Sequence, residues 1–97
     1  MNRLQDRVAL ITGAGAGIGK GVARRFAAEG ASLWLADINA ETCAGVAAEI
    51  RAEFGVQVAH AVADVSEHAA VQSMVDAALA RFGHIDILVN NAWGRRP

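Results

Sequence analysis

Ninety-seven residues, 54% hydrophobic and 20% charged with one proline, suffice for one small domain with one core and are too apolar for disorder. Nine basic against ten acidic side chains give a formal charge of −1, which lacks the basic footprint a nucleic-acid partner requires, and no apolar run reaches the roughly 18 residues of a membrane span. The single cysteine, Cys43, excludes an internal disulfide, and the N-terminus lacks the order of a signal peptide, so the cytoplasm is the expected compartment.

Val8-Ala9-Leu10-Ile11 is a continuous apolar run that ends in glycines, as in a strand buried on both faces. From Ile18 onward the apolar residues Ile18, Val22 and Phe26 recur at i, i+4 and i+8, which predicts a helix with these three on its inner face and Gly30 as its stop. Ala31 to Ala36 reads as a second strand, and Asn39 suits the N-cap of a helix whose inner face is Cys43, Val46, Ala47, Ile50 and Phe54, closed by Gly55. Val56 to Val62 follows as a third strand. Ser66 then caps a third helix, with Val71, Val75, Ala78 and Phe82 inward and Gly83 at its end, and Ile85 to Asn90 is the fourth strand.

Strands alternating with such helices predict an α/β fold: a Rossmann-like three-layer sandwich, with helices on both faces of a parallel sheet of order 3-2-1-4. No repeat or linker divides the chain, so residues 1–97 form one α/β unit, truncated after its fourth strand. The winding reverses between the first and fourth strands. Ligands of open α/β sheets sit at the carboxyl ends of strands beside such a switch point.

The turn at that point reads Thr12-Gly13-Ala14-Gly15-Ala16-Gly17-Ile18-Gly19. Glycines there allow a sharp exit from the strand and close approach of a pyrophosphate to the backbone, while the N–H groups at the helix start attract negative charge. Two phosphate-loop templates fail on spacing. A Walker A loop needs glycine at Ala14 and Ser or Thr at Gly21, and G-x-G-x-x-G needs glycine at Ile18 or Lys20. What fits is T-G-x-x-x-G-x-G, on Thr12, Gly13, Gly17 and Gly19.

With this pattern the chain resembles the short-chain dehydrogenase/reductase family, and three more matches follow in the family's order. They are Asp37 at the end of the second strand, Asp64-Val65 at the end of the third and Asn90-Asn91-Ala92 at the end of the fourth. The resemblance covers residues 5–94 and implies an NAD(P)-binding Rossmann-type domain. By that resemblance Gly13, Gly17 and Gly19 surround the pyrophosphate beside Thr12, and Ile18 adds a backbone N–H. Asp37 accepts hydrogen bonds from the adenosine ribose hydroxyls and repels a 2′-phosphate, so NAD is expected over NADP. Ala16 and Ile38 stand where NADP-preferring members carry a basic residue. Asp64 meets the adenine amino group, Val65 packs on the ring, and Asn90 and Ala92 line the cofactor beside the ribose.

Plainer readings stand beside these. The glycines also suit ordinary tight turns, Asp37 a turn acid, Asp64 a helix entry, and Asn90 and Asn91 turn formers. Lys20 is either an electrostatic aid to a phosphate or a solvated helix residue. Cys43 reads as core, Asp86 as structural, and His60, His68 and His84 lack metal-ligand spacing. Trp93 departs from the family's Asn-Asn-Ala-Gly; it either covers the nicotinamide pocket or belongs with Arg95-Arg96-Pro97 to foreign sequence at a truncation, and the second is expected.

The resemblance also implies hydride transfer between NAD(H) and a small alcohol or ketone, by a homo-oligomer in the full-length form. The family's chemistry uses a tyrosine as acid/base, a lysine four residues later and a serine that orients the carbonyl. The chain contains no tyrosine, so it is expected to carry the cofactor-binding half and no catalytic residue. Two alternatives are a stand-alone NAD-binding module and a structural subunit completed by a partner.

Overall fold

The computed structural model describes residues 3–15, 17–64 and 68–91, the His68 side chain excepted. Seven elements alternate: β1 (Val8–Thr12), α1 (Gly17–Ala28), β2 (Ser32–Asp37), α2 (Ala40–Phe54), β3 (Val58–Val62), α3 (His68–Phe82) and β4 (Ile87–Asn90). All four strands run parallel in the order β3-β2-β1-β4, as the alternation requires. The fold class read from the sequence is the one observed.

β1 is central, and all five of its residues are buried. Alternation divides them between two cores. Ala9 and Ile11 join Leu33, Leu35, Cys43, Val46, Ala47, Ile50 and Val58 beneath α1 and α2, whereas Leu10 lies with Trp34, Ala36, Ala59, Met74 and Ala78 beneath α3. One row across the sheet, Ala59-Trp34-Leu10-Leu88, shows the register on the α3 side. Leu88 ends that row and is 62% exposed.

The first helix departs from the expected face. Ile18 is 75% exposed, and the buried residues of α1 are Gly19, Ala23 and Ala27, with Val22 and Phe26 packed at the side of that core. Small residues let α1 lie close to the sheet, so the inner face is marked by size, not by hydrophobicity. Three strands also begin later than the apolar runs do, β2 at Ser32, β3 at Val58 and β4 at Ile87. Before β3, Gln57 still offers its carbonyl to the Leu33 N–H at 2.9 Å, and before β4 the Asp86 N–H reaches the Val8 carbonyl at 2.9 Å.

Asn39 caps α2 as its residue type predicts, its side chain accepting from the Thr42 N–H. Gly55 closes the helix in the left-handed region at φ 71°, where a side chain is disfavoured, and its N–H returns to the Arg51 carbonyl. On α3, Ala78 is buried and Val71, Val75 and Phe82 are packed at the edge of the core; Met74, absent from the apolar spacing read first, is buried with them. Ser66, expected to cap this helix, lies outside the described residues. No helix among the described residues is long and apolar enough to cross a membrane.

Asp86 fastens the start of β4. Its carboxylate accepts from the Val8 N–H at 2.8 Å and meets His84 Nε2 at 3.0 Å and Arg7 Nη1 at 3.6 Å. The Val8 N–H, which outweighs the opposing effect of burial, and after it His84 and Arg7 hold the carboxyl below its ordinary 3.8. A carboxyl whose folded pKa is depressed contributes stability that is complete above the unfolded value and lost as pH falls through the folded one. The melting temperature should therefore drop on acidification below 3.8. Asp86→Asn should lower it at neutral pH and flatten that acid limb; an unchanged limb in thermal melts would refute the assignment.

Candidate functional site

β1 delivers the chain to the sheet's carboxyl edge, and a glycine loop turns it into α1. Gly13 and Gly17 have φ of 65° and 61°, a region other residues enter only with strain. Between them the loop is fastened to β2: the Ala14 N–H donates to the Ala36 carbonyl at 3.2 Å, and the Gly15 N–H donates to Asp37 Oδ2 at 2.8 Å. Asp37 Oδ1 accepts from the Asn39 N–H at 3.0 Å. Sequence reasoning placed Asp37 beside the loop and did not foresee that Gly15 would hold it.

Gly19 closes the loop from the helix side. A β-carbon there would collide with the Gly13 carbonyl oxygen and come within 2.9 Å of Asn91 Nδ2. The first turn of α1 therefore rests directly on the loop backbone. Its opening N–H groups, those of Gly17, Ile18 and Gly19, have no acceptor within the helix, the usual state of a helix start. Ile18 takes part here through its backbone, with its side chain turned outward.

A third set of contacts joins β1 to β4. The Thr12 hydroxyl, on a residue 3% exposed, donates to Asn90 Oδ1 at 3.0 Å and accepts from the Asn91 N–H at 3.0 Å. Asn91 Nδ2 approaches the Gly13 carbonyl at 3.5 Å. Sequence reasoning assigned Asn91 no contact, although its place beside Asn90 at the end of a strand next to β1 was a usable signal.

The structure thus brings together Thr12, Gly13, Gly19, Asp37 and Asn90, with Gly17 and Ile18 opening the helix above them. Asp64 follows β3 on the far side of β2 and is exposed. Val65 and Ala92 lie outside the described residues, as do Ala16 and Trp93. Lys20 is turned to α2, its Nζ lying 3.6 Å from Glu49 Oε1. Burial, then the charge of Asp37, push the Cys43 thiol up to about 11 against a hydrogen bond with the Ala61 backbone, in keeping with a core residue. Among the described residues no group of three or more His, Cys, Asp or Glu is placed to hold a metal ion.

The arrangement gathers one carboxylate, a run of backbone N–H groups at a helix start and two side-chain amides at the carboxyl end of the sheet. Gly19→Ala should test its packing, because the new methyl group must displace the Gly13 carbonyl; overpacking of this kind costs about 1–3 kcal/mol. Gly21→Ala is the control: a β-carbon there meets nothing within 4 Å, and the helix should gain up to about 1 kcal/mol. Urea titrations that ranked the two variants equally would contradict the close contact.

Comparison with known proteins places the chain. The family model described as short chain dehydrogenase matches residues 7–96. A 7alpha-hydroxysteroid dehydrogenase of Escherichia coli is 43% identical over 95 residues, 98% of this chain and 37% of that protein. Among solved structures, an NAD+-bound xylitol dehydrogenase superposes with TM-score 0.89 at 41% identity, over 93% of this chain and 34% of that one. The L-sorbose reductase of Gluconobacter frateurii, complexed with NADPH and L-sorbose, superposes with TM-score 0.92 at 35% identity, over 99% of this chain and 37% of that one. The chain spans little more than a third of the length of these relatives. With its glycine loop, its sheet order and this match over nearly its whole length, the chain belongs to the short-chain dehydrogenase family.

Proposed function

We propose that these residues form the nucleotide-binding portion of an oxidoreductase that moves a hydride between NAD(H) and a small alcohol or its ketone. The observation that carries the reading is the Asp37 carboxylate, held beside the glycine loop by one backbone N–H on each oxygen. Each carboxylate oxygen has about two acceptor positions, so one remains on each. That is the acceptor pattern two vicinal ribose hydroxyls need. A 2′-phosphate would bring negative charge against the same oxygens, which favours NAD over NADP. Relatives with NAD+ and with NADPH are both known, so the preference rests on Asp37 and not on the family.

The other residues fit the same cofactor. The closeness of Gly13 and Gly19 leaves the loop backbone uncovered by side chains there, and the N–H groups of Gly17, Ile18 and Gly19 supply donors for a pyrophosphate. Thr12 and Asn90 hold the ends of β1 and β4 together beneath it. Asp64, Val65 and Ala92 complete the proposed contacts, toward the adenine for the first two and the ribose for the last. When bound, the nicotinamide supplies the hydride chemistry. This chain's residues bind and orient it, and proton transfer to the substrate needs a donor that none of its residues provides, since the sequence has no tyrosine. The whole protein is proposed to act on a small alcohol or carbonyl compound, as a homo-oligomer.

Asp37→Ala should weaken NAD roughly ten-fold, the worth of hydrogen bonds to a charged acceptor, and erase its advantage over NADP. Calorimetric titration of both nucleotides decides this, and tighter NADP binding to the parent chain would overturn the cofactor reading. The 97-residue chain should also bind NAD without turning over alcohols or ketones. Steady NADH formation by the purified chain, followed by absorbance, would show that a proton donor had been overlooked.

A further inference from the structure

The geometry points to Gly15 as a positioning residue for cofactor choice: with Thr42 behind it, it holds the Asp37 carboxylate in the one orientation that admits a free ribose and excludes a 2′-phosphate. The inference rests on the reading of Asp37 as the ribose acceptor. Its own observation is separate. The Gly15 N–H donates to Asp37 Oδ2 at 2.8 Å, and a β-carbon on Gly15 would stand 2.6 Å from Thr42 Oγ1 and 2.9 Å from Asp37 Oδ2.

An isolated aspartate at a strand end can turn away about its side-chain bonds and let a phosphate in. Asp37 is restrained from doing so because both its oxygens are engaged, Oδ2 by Gly15 and Oδ1 by the Asn39 N–H at 3.0 Å. Rotation would give up two charge-assisted hydrogen bonds at once. Fixed charge discriminates between ligands better than mobile charge, since a mobile one relaxes to accommodate the wrong partner. Thr42 matters as the wall. Its N–H is bound to the Asn39 side chain at 3.0 Å and its hydroxyl lies 3.3 Å from the Asn39 carbonyl, so the side chain behind Gly15 is itself held by the α2 cap. A side chain at residue 15 must therefore displace both Asp37 and Thr42. Glycine avoids this, and not for conformational reasons, because Gly15 is absent from the glycines of positive φ.

Gly15→Ala should weaken NAD roughly ten-fold while changing NADP little, so that the NAD-to-NADP preference falls by about the same factor. Adding Thr42→Ala should restore only part of the preference, because it relieves the contact with the hydroxyl while the β-carbon of residue 15 still stands 2.9 Å from Asp37 Oδ2. Calorimetric titration of NAD and NADP against the parent, both variants and Asp37→Ala reads this out. Equal weakening of the two nucleotides by Gly15→Ala, or an unchanged preference, would overturn the inference while leaving Asp37→Ala free to uphold the cofactor reading. An unchanged preference in Asp37→Ala would sink both. Amide hydrogen exchange on the parent and Asp37→Ala chains gives a second reading that does not need Gly15→Ala to fold: protection at the Gly15 N–H should be lost with the carboxylate. Protection that survives its removal would equally overturn the inference.

Discussion

The contact between Gly19 and the Gly13 carbonyl sets the rest of the site. A helix that follows a central parallel strand must turn back over the sheet within a few residues, and how near it starts decides whether its N–H groups reach the strand's end. Here the first turn of α1 touches the loop backbone with no side chain between. The same closeness continues along the helix as Gly19, Ala23 and Ala27, all buried, which lets α1 lie low over β1 and β2. A larger residue at any of these three would lift the helix and with it the N–H groups at its start.

Most of the architecture was legible in the sequence because each strand is a short apolar run and each helix ends near a glycine. The alternation gave the parallel order, and the turn at the end of β1 pointed to the candidate site. The inner face of α1 was misread for a physical reason: Ile18 fits the spacing of Val22 and Phe26, yet the face is chosen by smallness, to which a count of apolar residues is blind. Strand starts were also set early, since Val56 and Ile85 are apolar and pack against the cores without lying within a strand. Within the candidate site, the resemblance to the family singled out Asp37 and Asn90. It could not show that Gly15 and Asn39 hold the first or that Thr12 holds the second, because those contacts join backbone groups, or join residues 78 positions apart in the chain.

Asp37 shows how a turn contact can be joined to a second one. The acid of a tight turn is expected to accept from a backbone N–H two residues on, and Asp37 does so from Asn39. If that were its whole task, the second oxygen would have no reason to face the glycine loop. Gly15 makes it do so. The two bonds occupy one acceptor position on each oxygen and orient the rest, so the turn contact and the loop contact together fix the carboxylate beside the loop.

β4 extends the argument from the site to the sheet. Its side chains alternate between half-buried and exposed, and Leu88 is largely open to solvent, so packing alone holds this four-residue strand weakly. Polar clips at its two ends make up the difference. At the start, Asp86 binds the Val8 N–H; at the end, the Thr12 hydroxyl binds Asn90 and the Asn91 N–H. Both clips grip β1, the most buried strand, and the second lies in the glycine loop's own neighbourhood, where Asn91 also approaches the Gly13 carbonyl. Loosening the end of β4 therefore releases a neighbour of the loop, and straining the loop pulls on the residue that ends the sheet. The loop's surroundings are in this sense part of what holds the strand, so substitutions at Thr12 or Asn90 act on the loop and on sheet integrity together.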